Sequence, residues 1–151
     1  MLENIFTGQF FAYLGAAVAF LVAGLGSSKG VGTAGQTGAG VLSEDPSKFG
    51  SVMVLEALAS TQAIYGFVIA FLIVRNINDA MTLQEGIKLF IAGLPVGFVG
   101  LVSAIFQGKV AAAGIQMISK RPEGFGSAVT LALMVELFAI LSLIVSILML
   151  R

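Results

Sequence analysis

The chain keeps its charges out of four long stretches. Over residues 10–41 the one charged residue is Lys29, and over 50–74 it is Glu56. Residues 87–118 hold Lys88 and Lys109, and 125–150 hold Glu136. Each stretch exceeds the roughly 20 apolar residues that cross the hydrocarbon core of a bilayer. A barrel would show ~10-residue alternating segments instead. The pattern therefore predicts an all-α membrane protein with four transmembrane helices, over about 10–41, 50–74, 87–118 and 125–150. Composition agrees: 58% of the 151 residues are apolar and 11% are charged, where a soluble domain carries about 25% charge. A domain of this size has too little interior to hide that much apolar surface, which argues against a soluble enzyme. The first and third stretches are longer than a bilayer needs, so those helices are expected to protrude.

Other function classes fall away on composition. Net charge is zero and no basic cluster exceeds Lys120-Arg121, so there is no electrostatic footprint for nucleic acid. With no Cys and no His, disulfides, thiol nucleophiles and the usual zinc or copper ligands are excluded. No phosphate-binding P-loop is present, which points to a non-catalytic chain without an organic cofactor. The first residues hold Glu3 and no Lys or Arg before a long apolar run, and read as a retained first helix rather than a signal peptide. Lys29, Lys48, Lys109, Lys120 and Arg121 lie in or toward the first and third loops, against Arg75, Lys88 and Arg151 on the other side. That excess places loops one and three in the cytoplasm and both termini outside.

The chain also repeats itself. Pro46-Ser-Lys-Phe49-Gly50-Ser51 returns as Pro122-Glu-Gly-Phe125-Gly126-Ser127, displaced by 76 residues, and Lys29 and Gln36 return as Lys109 and Gln116, displaced by 80. Two helical hairpins, 1–76 and 77–151, are expected, joined in parallel and unlike the inverted repeats of many transporters. At the displacement of 76, Glu136 falls on Ser60, so the second hairpin's mid-span acid has no counterpart in the first. Small residues recur every four positions: Gly15, Ala19, Ala23, Ser27; Gly26, Gly30, Ala34, Gly38; and Gly100, Ala104, Gly108, Ala112. Such stripes let helix backbones approach closely. Two on the first helix suggest packing on more than one side, as in an oligomer with slim inner and bulky outer helices.

Glu136 lies near the middle of its span, where a carboxylate is costly and marks a functional site. Desolvation penalises the bare anion, so it must be protonated or matched by a cation. Leu58, Thr61, Gln62 and Tyr65 share one face of the second span at i, i+3, i+4 and i+7, and Gln62 lies at the depth of Glu136. Gln107, with Ser103 one turn away, adds an oxygen from the third span. Hard cations take all-oxygen shells, and one carboxylate balances one monovalent ion. Na⁺ or H⁺ is the natural cargo.

These residues resemble the proteolipid (c or K) subunit of V-type and archaeal-type rotary ATPases, in its duplicated four-helix form, and resemble the bacterial Na⁺-translocating members among them. The resemblance rests on the doubled hairpins, the Gly-rich first and third helices, Thr61-Gln62-x-x-Tyr65-Gly66-Phe67, Gln107-Gly108-Lys109 and Val135-Glu136. It implies a ring of identical subunits in a bacterial cell membrane, in contact with lipid. A stator subunit with an essential Arg would displace the ion from Glu136. Central-stalk subunits would meet loops 43–48 and 119–124. It further implies Na⁺ ligands at Thr61, Gln62, Gln107, Glu136 and the Leu58 carbonyl, with Tyr65 supporting the carboxylate. Alternatives are the same ring carrying H⁺, or a self-contained four-helix transporter or channel. Two departures stand out. The family commonly has Pro-Gly where this chain has Ala59-Ser60. Proline removes a helical N–H donor, so without it the Leu58 carbonyl is expected to stay in the helix ladder, which makes it the weakest of the ligands. Glu56 is the second departure, charged where an uncharged residue is expected. It points away from the Gln62 face, and a role in ion access is the expectation it raises.

Overall fold

The computed structural model describes residues 6–151; Glu3, and with it the reading of the first few residues, lies outside them. Helix α1 spans Gly8–Glu44, α2 Phe49–Leu58, α3 Thr61–Arg75, α4 Leu83–Lys120 and α5 Phe125–Met149. Among the described residues there is no strand. Helices α1, α4 and α5 are each long and apolar enough to cross a membrane, and α2 with α3 forms a fourth span bent by 41°. At 1.5 Å per residue, the 37 residues of α1 and 38 of α4 reach about 55 Å. The 25 residues of α5 reach about 37 Å.

Local chemistry sets the helix ends. The Thr7 hydroxyl accepts the Phe10 N–H at 3.2 Å and opens α1. Thr82 and Glu85 cap α4 reciprocally, each side chain bonding the other's backbone N–H. The repeated Pro-x-x-Phe-Gly-Ser motif does the same work twice. Pro46 and Pro122 each begin a single 3-10 turn, Pro46–Lys48 and Pro122–Gly124, and the following Phe begins the returning helix. Proline's fixed φ and missing N–H suit that first position. In the first loop the Asp45 carboxylate also accepts the Ser47 N–H at 3.0 Å.

Helices α1 and α4 run side by side with almost no side chain between them. A Cβ on Gly108 would overlap the Gly30 backbone, and one on Gly30 would overlap the Ala104 carbonyl. In lipid such close backbone packing, not an apolar drive, holds helices together. The structure corrects one inference from the small-residue stripes. Gly15, Ala19, Ala23, Ser27, Gly26, Gly30, Ala34 and Gly38 are all buried within the single chain. Gly15 meets Phe90, Gly26 meets Leu101, and Ala19 meets Gly66 of α3. Both stripes are used inside the chain, so neither is evidence for a second copy.

The second span also differs from the single helix expected over 50–74. It breaks at Ala59-Ser60 even though no proline is there. Two apolar clusters flank that level. One contains Ala19, Ile69, Ile73, Leu89 and Val96, the other Ala34, Val52, Leu55, Ile115 and Ala128. Between them, on α1, α3, α4 and α5, lies a polar layer: Ser27, Gln62, Ser103, Gln107 and Glu136, each at most 5% exposed.

Candidate functional site

Four of the five helices contribute to this layer, each for a local reason. The break at Ala59-Ser60 starts α3 at Thr61, so Thr61, Gln62 and Tyr65 occupy its first turns. The glycines at positions 30 and 108 let α1 and α4 close, which sets Gln107 inside the bundle. Glu136 sits in the middle of α5, whose buried face is otherwise Ala128, Ala132, Ala139, Ser142 and Ser146. Small neighbours leave room for a large polar side chain.

Every group around the Glu136 carboxylate donates to it. Oε2 accepts from the Thr61 hydroxyl at 2.7 Å and from Gln62 Nε2 at 3.0 Å. Oε1 accepts from the Tyr65 hydroxyl at 2.6 Å. No cationic side chain pairs with it: the one salt bridge among the described residues is Lys48–Asp45, in the first loop.

The two glutamines are fully buried. Gln62 Nε2 also lies 2.5 Å from Gln107 Oε1 and 3.3 Å from Ser103 Oγ. Two N–H bonds thus face three acceptors, while the Gln62 Oε1 is buried and has no partner among the described residues. Native structures rarely leave such an atom unpaired. Gln107 is fixed from its other end, its Nε2 donating to the Ala132 carbonyl at 3.2 Å. Ser103 donates to the Val135 carbonyl at 3.0 Å, beside Glu136.

Leu58 behaves differently from expectation. Backbone bonds across the break run from Ala59 to Glu56, Ser60 to Ala57 and Ala63 to Ser60. The Leu58 carbonyl instead lies 3.0 Å from the Thr61 hydroxyl, whose single proton it shares with Glu136 Oε2. It has left the ladder without proline, because the hydroxyls at 60 and 61 turn back onto the preceding carbonyls. Such back-bonding bends helices.

The structure thus brings together Thr61, Gln62, Tyr65, Gln107 and Glu136, with the Leu58 carbonyl one bond away. Glu56 is not among them. It is half-buried on the α1 side of α2, where a methyl on Gly35 would lie 2.7 Å from its Oε1. Lys29 and Lys109 are exposed, and Lys109 Nζ sits 5.0 Å from the centre of the Phe106 ring. Ser27 was legible in sequence only as a small residue. It proves to be a hydrogen-bonding partner of the break, since the Ala63 N–H donates to its Oγ at 3.0 Å.

A buried carboxyl ringed by two hydroxyls and an amide in an apolar four-span bundle defines a membrane proteolipid built around one mid-span acid. The chain belongs to the ATP synthase C-subunit family, whose model matches it twice, at residues 14–73 and 90–149. Among its relatives is the K subunit of the V-type sodium ATPase of Enterococcus hirae. That protein is 46% identical over 142 residues, covering 94% of this chain and 91% of the relative. The K subunit of the A-type ATP synthase of Methanocaldococcus jannaschii is 42% identical over 137 residues, 91% of this chain but 60% of that protein. The 16 kDa proteolipid of the human V-type proton ATPase is 29% identical over 141 residues, 93% of this chain and 91% of the relative. The resemblance to c/K proteolipids read from the residues is thereby shown, and the chain is a membrane-embedded rotor proteolipid of the V/A type.

Proposed function

We propose that the chain carries one Na⁺ per copy at Glu136, in a rotor ring that couples ion flow to ATP hydrolysis or synthesis in an attached soluble sector. The observation that carries this reading is the unpartnered Gln62 Oε1, on an amide set among the Thr61, Gln107 and Glu136 oxygens. Turning the Gln62 amide by half a rotation about its last bond gives its unpartnered Oε1 the place now held by Nε2. Gln62 Oε1, Gln107 Oε1, Thr61 Oγ1 and a Glu136 oxygen then converge on one volume. Oxygens repel one another unless a cation or proton lies between them. A monovalent ion makes the site neutral, with Tyr65 holding the carboxylate from the far side. A site built for a proton alone needs the carboxyl and one or two partners, fewer than are present here. The E. hirae relative's name supports sodium as the ion.

The chain itself carries the ion and leaves the chemistry of ATP to other subunits. Copies of it pack side by side through the exposed apolar faces of the bundle, with lipid covering the rest. A stator subunit supplies the Arg that releases the ion from Glu136. The loops at 43–48 and 119–124 meet the central stalk in the cytoplasm of a bacterial cell, with the termini outside. The Leu58 carbonyl, freed at the break, is a further ligand. Glu56, on the loop side of the break, lies on the ion's entry route, and unchanged Na⁺ uptake in Glu56→Gln would remove that role.

Labelling of the purified protein with a carboxyl-directed carbodiimide tests the site. Glu136 is expected to be modified, and Na⁺ to slow the modification. If pH alone alters the rate, the ring carries H⁺. If Glu136 never reacts, the ion-site reading fails.

A further inference from the structure

We propose that Ser27 of α1 is a positioning residue for the ion site: its hydroxyl caps α3 from a neighbouring helix and so holds Thr61 and Gln62 against Glu136. The proposal rests on the ion-site reading above. It starts from the break at Ala59-Ser60, which no proline imposes. A helix that starts anew leaves its first-turn N–H groups without partners. The residue just before the helix normally supplies an oxygen to them. Ser60 holds that place but makes no side-chain cap. Its hydroxyl is turned back to donate to the Ala57 carbonyl at 2.7 Å. The missing oxygen comes from 36 residues away: the Ala63 N–H donates to Ser27 Oγ at 3.0 Å. Ser27 is 4% exposed, so water does not easily replace it. The Ala63 N–H otherwise reaches only the Ser60 carbonyl, at 3.2 Å.

Thr61 and Gln62 share that first turn with Ala63, and both bond Glu136 Oε2. Without the Ser27 oxygen, the Ala63 N–H is best satisfied by the carbonyl four residues back, at Ala59. That bond rebuilds the continuous helix, straightens the 41° bend and draws Thr61 and Gln62 away from the carboxylate. Ser27 thus touches neither the carboxylate nor the ion, and acts on both through the backbone.

Ser27→Ala exchanges one small side chain for another and removes the oxygen. The Na⁺ concentration that half-protects Glu136 from carbodiimide is expected to rise about three- to tenfold, the usual worth of one hydrogen bond. Amide exchange in a peptide covering residues 59–66 should quicken. Ser27→Cys, of similar size and a weaker acceptor, should fall between the two. Ser28→Ala, at an exposed neighbour, should match wild type. In a Thr61→Ala background the Ser27→Ala effect should shrink, because the two act through one turn. Half-protection within twofold of wild type, or an undiminished effect in the Thr61→Ala background, overturns the proposal. If wild-type labelling answers to pH alone, the sodium reading is what fails. Ser27→Ala must then shift the pH midpoint of labelling, and an unshifted midpoint overturns the Ser27 role as well.

Discussion

At the scale of single residues, the arrangement turns on which atoms donate. Three side chains, Thr61, Gln62 and Tyr65, direct donors at the Glu136 carboxyl. Tyr65→Phe removes the only donor to Oε1 and leaves that oxygen buried and unpaired. A hydrogen bond to a charged group is worth about 1.5–3 kcal/mol. The half-protecting Na⁺ concentration in the labelling assay is therefore expected to rise at least about tenfold. Glu136→Gln should abolish both labelling and Na⁺ uptake. The face shared by Thr61, Gln62 and Tyr65 was legible from helical spacing alone, as was the matching depth of Gln62 and Glu136. The unpaired Gln62 Oε1 was not, since spacing says nothing about which end of an amide points inward. The structural role of Ser27 was likewise hidden: a serine in a stripe of small residues reads as packing.

Elements are governed by backbone contact. The α1–α4 seam leaves no room for a Cβ at Gly108, and Gln107 is its neighbour. Gly108→Ala should force the helices apart, at the 1–3 kcal/mol typical of overpacking. A lower melting temperature in detergent and weaker Na⁺ protection would show it. Gly126→Ala, where nothing lies within 4 Å of the added carbon, should leave both unchanged. The break between α2 and α3 makes a second prediction. Ala59 has φ of −74°, already within proline's range, and its N–H is shared between the Ala57 carbonyl and a long 3.4 Å contact to the Glu56 carbonyl. Ala59→Pro is therefore expected to keep half-protection within about twofold of wild type. The positions of the spans followed from where charges are missing. The break did not, because in this chain hydroxyl groups on two helices make it, and they carry no helix-breaking signature.

For the whole molecule, the question is what covers the outward faces of α3, α4 and α5. Ile64, Phe67, Phe71, Phe98, Phe106, Leu137, Phe138 and Leu141 are all exposed. Lipid and further copies are the proposed cover. Native mass measurement in mild detergent should find a closed oligomer, and a monomer or dimer as the sole species would count against the ring. The small-residue stripes first suggested such an oligomer, and the structure uses them within the chain. Sequence periodicity identifies a crowded helix face. It cannot say whether the crowding partner is the same chain or another.

The sequence by itself determined the four spans, their pairing into a doubled hairpin and the single mid-span acid. Each follows from one-dimensional physics: the bilayer's thickness, the cost of a charge within it and the period of a helix. The tertiary structure decided what depends on groups meeting across helices. It places Thr61, Gln62 and Tyr65 as donors to one carboxylate. It frees the Leu58 carbonyl without proline, sets Glu56 against Gly35 of α1 and turns Ser27 into a cap. A hydrogen bond between residues 36 apart in sequence is set by how two backbones dock, and no local pattern encodes that docking.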